Sequence, residues 1–375
     1  MRGWLATVLK PVQSDAPERE AADPARLRPA RLRPVWLGVG LLAVLVAAIV
    51  GVSYGPVSLP MSAVAVELLD LLPGVDLVSG LSEREQALLV QLRLPRVVLG
   101  LLVGGLLALA GGCYQGVFRN PLADPHLLGV AAGAGLGVTA VITLRRGAGA
   151  DATAALPLAT PLAAFVGAIT AVILTYVLAS RGGGDRSPST LILAGVAVSA
   201  FLAAAQTFLM QRDADAIREI YSWLLGRLGT AGWRDVLLVL PYAVVTVVVM
   251  LLHRRDLDVL SVGDAEAAGL GLNPQRTRYV LAAAASLGTA AAVSVSGLIG
   301  FLGIIVPHTV RLLAGAGYRT ILPLSMLFGG AFLVLTDLLA RTAAAPSEIP
   351  IGVVTAFLGA PFFVLVLRTS TRMRL

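Results

Sequence analysis

Residues 279–310, YVLAAAASLGTAAAVSVSGLIGFLGIIVPHTV, run without a single charged side chain. At about 1.5 Å per residue one helix of that length would measure about 48 Å, against roughly 30 Å for a bilayer's hydrocarbon core. Ser294, Ser296, Gly297, Gly300 and Gly303 offer a break, and Pro307 bends the helix beyond it. Whether the stretch holds one span or two sets the sidedness of everything downstream. Charge decides it. With two spans here, ten in all and the N-terminus inside, 19 of the 29 Lys and Arg residues fall on the cytoplasmic side. With nine spans that split falls to about 15 against 14 and the positive-inside bias vanishes.

Working outward, uncharged runs recur at 97–118, 125–144, 152–180, 187–211, 236–253 and 349–367. Of 375 residues 57% are hydrophobic and 14% charged, with a mean hydropathy of +0.84. A soluble domain carries about 25% charged residues. The expected fold is therefore an all-α polytopic membrane protein of ten transmembrane helices, both termini cytoplasmic. Spans are placed near 35–54, 94–117, 126–144, 157–179, 190–210, 234–252, 277–296, 302–314, 321–340 and 350–367. The chain then divides into three segments: a disordered basic cytoplasmic tail over 1–34, a ten-span transmembrane domain over 35–370, and a short cytoplasmic tail over 371–375.

Composition excludes several functions. The single lysine, Lys10, follows Leu9, so no phosphate loop of the G-x-x-x-x-G-K-[ST] type exists and nucleotide-driven work belongs to another chain. Cys113 is the only cysteine, which removes intrachain disulfides and Cys-based metal sites. His126, His253 and His308 lie far apart in sequence, so no metal site and no cofactor are expected. The net charge of +7 comes from arginines flanking apolar runs, a topology signal rather than a nucleic-acid surface. Buried carboxylates of the kind that couple transport to protons or sodium are nearly missing from the spans, Asp337 with Arg341 one turn on being the exception. That pattern disfavours a secondary transporter or a membrane-embedded enzyme. Small residues at four-residue spacing, Gly100, Gly104, Ala108 and Gly112, then Gly129, Gly133 and Gly137, predict close helix packing.

Two loops stand out. Residues 115–125, QGVFRNPLADP, contain an Asn-Pro step and a second proline, which enforce a rigid turn. Residues 256–278 form the longest internal cytoplasmic loop. Within it Ser261-Val262-Gly263-Asp264-Ala265-Glu266-Ala267-Ala268-Gly269-Leu270-Gly271-Leu272 predicts a short helix, with Ser261 as N-cap, acidic residues in its first turn, and Gly269 and Gly271 ending it. A short helix with few core contacts of its own suggests docking onto a partner.

Ordered motifs then carry a resemblance. Arg93-Leu94-Pro95-Arg96, the Gln115 to Pro125 turn with Leu128-Gly129-Val130, and Leu193-Ala194-Gly195-Val196 come first. Trp223-Leu224-Leu225-Gly226, Gly300-Phe301-Leu302-Gly303 with Pro307-His308 and Arg311, Glu348-Ile349-Pro350-Ile351-Gly352-Val353, and Leu358-Gly359-Ala360-Pro361-Phe362 come after them. Together they resemble the permease subunits of ABC importers for iron chelates, haem and cobalamin, over about residues 35–370. The resemblance implies a non-catalytic permease in a bacterial cytoplasmic membrane. It implies a second permease subunit, identical or paralogous, two cytoplasmic ATP-binding subunits that hold the ATP and magnesium, and an external substrate-binding protein. It implies roles for Arg93, Arg96 and Arg341 in docking that protein, for Asn120, Leu122, Pro188 and Ser189 at the cytoplasmic gate, and for Ser261, Gly263, Asp264, Glu266, Ala267, Gly269 and Gly271 in a helix coupled to the ATPase. Ferric siderophore is the expected cargo, with haem and cobalamin as alternatives.

Overall fold

The computed structural model describes residues 32–55, 57, 59–70, 77–147, 158–181 and 188–372, all of its regular structure being helical. Most of the expected N-terminal tail, the last three residues and the Gly182-Gly183-Gly184 loop lie outside these residues. Six helices carry the first half: α1 (Pro34–Ser53), α2 (Met61–Asp70), α3 (Glu83–Ala87), α4 (Leu94–Val117), α5 (Val130–Gly147) and α6 (Ala159–Arg181). Then come α7 (Pro188–Arg212), α8 (Ile217–Leu224), α9 (Trp233–Leu252), α10 (Arg254–Leu260), α11 (Asp264–Gly269), α12 (Pro274–Ser296), α13 (Leu302–Ala314), α14 (Tyr318–Thr342) and α15 (Ile351–Arg372).

Among the described residues seven helical segments are long and apolar enough to cross a membrane, those of α1, α3–α4, α6, α7, α9, α12 and α14. They divide by burial. In its most apolar window the α3–α4 segment is 83% buried, whereas the corresponding windows of α1, α7 and α9 are under a third buried. Helix α4 is the axis: it packs on α14, α12, α13, α9 and α1, while α5, α6 and α7 form a second group joined to it through α12. The outer helices present leucine, valine and phenylalanine outward, for example Leu41, Leu45, Val166, Leu193, Phe201 and Leu237. In water such a surface is a liability; in lipid it is the expected solvent-facing surface.

The small-residue ridges do the packing predicted for them. On α4, Gly104 lies against the Gly329 backbone and Leu333 of α14, and Gly100 meets Val334. On α5, Gly133 and Gly137 meet Gly167 and Ala163 of α6. A side chain at any of these contacts would push the helices apart, which is the physical reason for the spacing.

The chain does reverse in the 279–310 stretch. Helix α12 ends at Ser296, Gly297 takes φ +69°, and Phe301 takes φ +66° before α13 begins. A Cβ on Gly297 would strike the Trp223 carbonyl, so this corner needs glycine for space as well as for conformation. Both outer ends of the hairpin return to one end of α4. Arg278 at the start of α12 reaches Asp264 at 2.7 Å, and just past α13 the Tyr318 amide donates to Asp258 at 2.6 Å. Pro307 is accommodated inside α13.

One feature of the second span differs from expectation. Its helix does not begin near residue 94: residues 83–117 are helical throughout, with a π turn over Leu88–Arg93. Pro95 lacks the amide that would close onto the Gln91 carbonyl, and the wider π turn lies immediately ahead of it.

Candidate functional site

Helix α4 separates two polar clusters. From Arg96 to Arg119 the rise is about 35 Å, so the arginine cluster and the 115–125 turn lie at opposite ends of the bundle.

At the first end the three expected docking arginines come together, engaged within the chain. Arg93 is buried and donates to the carbonyls of Val52 at 3.0 Å and Ser53 at 2.9 Å, and to that of Val57. Arg341 is buried too, donating to the Gly51 carbonyl and pairing with Asp337 at 3.6 Å. Arg96 bridges Asp337 at 2.9 Å and Glu348 at 2.9 Å. Glu348 is half-exposed, and the Arg96 hydrogen bond holds its carboxyl below the usual range. All three guanidinium groups are thus engaged within the chain, Arg93 and Arg341 by backbone carbonyls of residues 51–57 and Arg96 by two acids. Sequence showed the arginines and the Asp337–Arg341 pair but not the other partners, which lie 36 to 290 residues away.

Between the ends, four of the quoted motifs converge. The Arg227 amide donates to the Ser296 carbonyl at 2.8 Å, and the Gly352 amide to the Leu225 carbonyl at 3.0 Å. The Phe301 ring rests on Gly359. Leu224, Leu225, Leu298, Val353, Ala356 and Phe357 line an apolar cleft of about 490 Å³ beside this knot. Such a wall offers no fixed charge to a passing solute.

At the other end the 115–125 turn is fastened from within. Asn120 Oδ1 accepts from the Leu122 amide at 2.9 Å, and Asp124 Oδ1 from the His126 amide at 2.8 Å. The Asn120 amide closes back on the Gln115 carbonyl at 3.1 Å. Gln115 Nε2 donates to the Gly303 carbonyl at 3.2 Å, and His126 Nε2 lies 3.2 Å from the Ile299 carbonyl. The turn therefore touches the α12–α13 break. His126 and His308 face different surroundings, His308 lying edge-on to Phe362, and among the described residues no group of His, Cys, Asp and Glu could hold a metal ion. Pro188 opens α7 and Ser189 follows, exposed; α7 meets the turn further along, where Gly195 lies against the Leu127 carbonyl.

The predicted short helix is present, as α11 over Asp264–Gly269. Its cap differs from expectation. Ser261 closes α10 instead, its hydroxyl donating to the Asp258 carbonyl at 2.6 Å, and Gly263 takes the N-cap position. The Asp264 carboxylate, on the first residue of α11, pairs with two arginines, Arg278 and Arg119. Arg278 first, then Arg119, holds the Asp264 carboxyl below the usual range. Ala267 is buried, whereas Glu266, Gly269 and Gly271 are exposed. Gly271, at φ +84°, makes the exit turn. Val262 and Leu270, on either side of α11, are 68% and 72% exposed. Helix α10 seats the assembly: Leu257 packs on Gly116 of α4, and Asp258 receives the Tyr318 amide and faces Arg319 at 3.4 Å. Burial pushes the Asp258 carboxyl up, against those donors.

Comparison with known proteins places the chain among related sequences and structures. Residues 41–369 match the family described as the FecCD transport family. The cobalamin import system permease BtuC of Halobacterium salinarum is 44% identical over 289 residues, 77% of this chain and 75% of that protein. The hemin transport system permease HmuU of Yersinia pestis is 38% identical, over 74% of this chain and 83% of its own length. The Fe(3+)-citrate import permease YfmD of Bacillus subtilis is 37% identical, over 78% and 84%. A solved structure described as an inward-facing conformation of a metal-chelate type ABC transporter superposes with a TM-score of 0.76 at 28% identity. It covers 90% of this chain and all of its own.

Proposed function

This chain belongs to the FecCD transport family of ABC importer permeases, and from that premise we propose that it forms the path by which an iron–siderophore complex crosses a bacterial cytoplasmic membrane. Permeases of this family are non-catalytic; ATP is hydrolysed on separate subunits. We propose ten spans, the seven long segments together with α5, α13 and α15, with both termini cytoplasmic. The full transporter then pairs this chain with a second permease subunit, carries two ATP-binding subunits on the face holding α11, and receives cargo from an external binding protein at the arginine end. This chain itself holds no cofactor in this reading.

The observation that carries the reading is the convergence of the rigid 115–125 turn and the helix α11 at one end of α4, with an apolar, uncharged cleft between them and the arginine cluster. A solute passing such a wall is released rather than held, and energy must arrive from outside the membrane domain, through differential contact of α11 with its partner in two states. Arg96, the most accessible of the three arginines, is the proposed contact for the binding protein, with Arg93 and Arg341 shaping the ground beneath it. Asn120, Leu122, Pro188 and Ser189 are the proposed inner gate.

A second reading of the cargo is cobalamin, favoured by the 44% identical archaeal relative named for cobalamin import. Uptake of labelled ferric siderophores, hemin and cobalamin, in cells lacking the gene and with the intact chain restored, tests both. Restored uptake of a ferric siderophore that ATP depletion abolishes supports the first reading, and restored cobalamin uptake the second. Uptake that survives ATP depletion overturns the mechanism.

A further inference from the structure

We propose that Arg119 is a positioning residue that ties the ATPase-facing helix α11 directly to the inner-mouth turn, so that displacement of α11 is passed to Asn120 and Leu122 through this side chain. The proposal rests on the reading above of α11 and of the turn.

Arg119 stands in the turn itself, between Phe118, whose ring stacks on Tyr114 with centroids 5.5 Å apart, and Asn120. It holds a left-handed backbone, φ +49°, a conformation that ordinary side chains adopt only when surroundings fix it. Its guanidinium leaves the turn and spans a sequence separation of 141 to 145 residues. Nε donates to the Leu260 carbonyl at 2.7 Å, and Nη2 pairs with the Asp264 carboxylate. Leu260 is the last residue of α10 and Asp264 the first of α11, so one planar fork grips the hinge between them. On its own side the turn is stiff: Asn120 is bonded to Gln115, Leu122 and Ala123. A pull on Arg119 therefore moves the turn as a unit.

The other fastenings of α10 and α11 lead elsewhere. Arg278 carries Asp264 to α12, and Asp258 carries α10 to the start of α14. Leu257 of α10 packs on Gly116 at the end of α4, and Arg119 is the hydrogen-bonded link from α10 and α11 to the residues beyond that helix. The pair is also open to solvent, with side chains 36% and 50% exposed. Exposed ion pairs contribute little to stability. A contact of this geometry that adds little to folding is well suited to transmission, and its removal can be tested without unfolding the chain.

The test is cargo moved per ATP hydrolysed by the complete transporter in proteoliposomes, using the cargo that the uptake assay identifies. Arg119→Gln is expected to lower that ratio about ten-fold, and Arg119→Glu at least as much, with unchanged complex yield and thermal unfolding midpoint. Arg119→Lys, which keeps the charge that pairs with Asp264, is expected to retain at least three-fold more of the ratio than Arg119→Gln, a rescue that a merely structural loss would not show. A wild-type ratio in both Arg119→Gln and Arg119→Glu, or a ratio in Arg119→Lys no higher than in Arg119→Gln, overturns the tie. Capture of the ATPase by a Leu270→Asp variant is measured alongside. Retained capture overturns the docking reading and the tie with it; lost capture with a normal ratio in Arg119→Gln overturns the tie alone.

Discussion

Arg96 and Asp337, 241 residues apart, meet through three N–H···O bonds of 2.9 to 3.2 Å, joining α4 to α14 where both are largely buried. The same guanidinium reaches Glu348 in the half-exposed segment before α15. One side chain thus ties three parts of the bundle at a single point.

Removing one partner of a buried pair leaves an uncompensated charge and costs about 3–5 kcal/mol. Asp337 keeps Arg341 at 3.6 Å, so the lower end of that range is expected for Arg96→Ala. Glu348→Gln, at the exposed side of the same fork, is expected to cost at most about 1 kcal/mol. Thermal unfolding of the protein in lipid nanodiscs separates the two. A larger loss for Glu348→Gln than for Arg96→Ala would show that the buried pair does not carry this junction.

Glycine substitutions at two positions are expected to act with opposite sign. At Gly111 a Cβ would meet the Gly303 backbone, so Gly111→Ala forces α4 away from the head of α13. Overpacking of this kind costs about 1–3 kcal/mol. At Gly38, on the exposed face of α1, a Cβ meets nothing within 4 Å, and alanine is the better helix former by about 1 kcal/mol. The unfolding midpoint should fall for Gly111→Ala and hold or rise for Gly38→Ala; a fall in both would mean that the Gly111 contact is not special.

Legibility in the sequence depends on the kind of signal each feature leaves there. The break at Gly297 and the bounds of α12 and α13 are readable because a charge-free run too long for a bilayer must turn. The glycine ridges are readable because helix packing leaves a four-residue period. The 115–125 turn is readable because proline and Asn-Pro act locally. The partners of Arg93 and Arg341 are not, since backbone carbonyls of another helix carry no mark in side-chain identity. The cap of α11 differs from the sequence expectation because the Ser261 hydroxyl is taken by the Asp258 carbonyl at the end of α10, which leaves Gly263 at the N-cap position. Helices α2, α3 and α8 escape a reading by spans, being short and lying between them, where neither apolar length nor charge-free runs announce them.

The two aspartates flanking the α10–α11 corner are expected to titrate in opposite directions. Asp264 is held below the ordinary carboxylate value of about 3.9 by Arg278 and Arg119. Its stabilising share is complete above that value and lost as pH falls through the lower folded one. Asp258 is raised by burial, so its folded form keeps the proton longer and stability declines as pH rises through the raised value. At pH 7, therefore, Asp264→Asn should lower the unfolding midpoint and Asp258→Asn should not. Carboxyl-carbon NMR titration of labelled aspartates gives the order directly; Asp264 titrating above Asp258 would overturn the assignment.

Val262 and Leu270 flank α11 as exposed aliphatics next to a helix whose inward face is filled by Ala267. On the proposed reading they enter a groove of the ATP-binding subunit. Burying a leucine or valine contributes about 1.5–3 kcal/mol, and each 1.4 kcal/mol is ten-fold in affinity. Leu270→Asp is accordingly expected to weaken ATPase association about ten- to hundred-fold, and Val262→Asp about ten-fold. Both side chains already face solvent in this chain, so the isolated permease should keep its unfolding midpoint. Ala267→Asp inverts the pattern, because it places a charge in a buried seat and destabilises the chain itself. Pull-down of the ATPase alongside thermal unfolding of the permease distinguishes docking from folding. Full capture by both Leu270→Asp and Val262→Asp would mean that α11 is not the surface on which the ATPase sits.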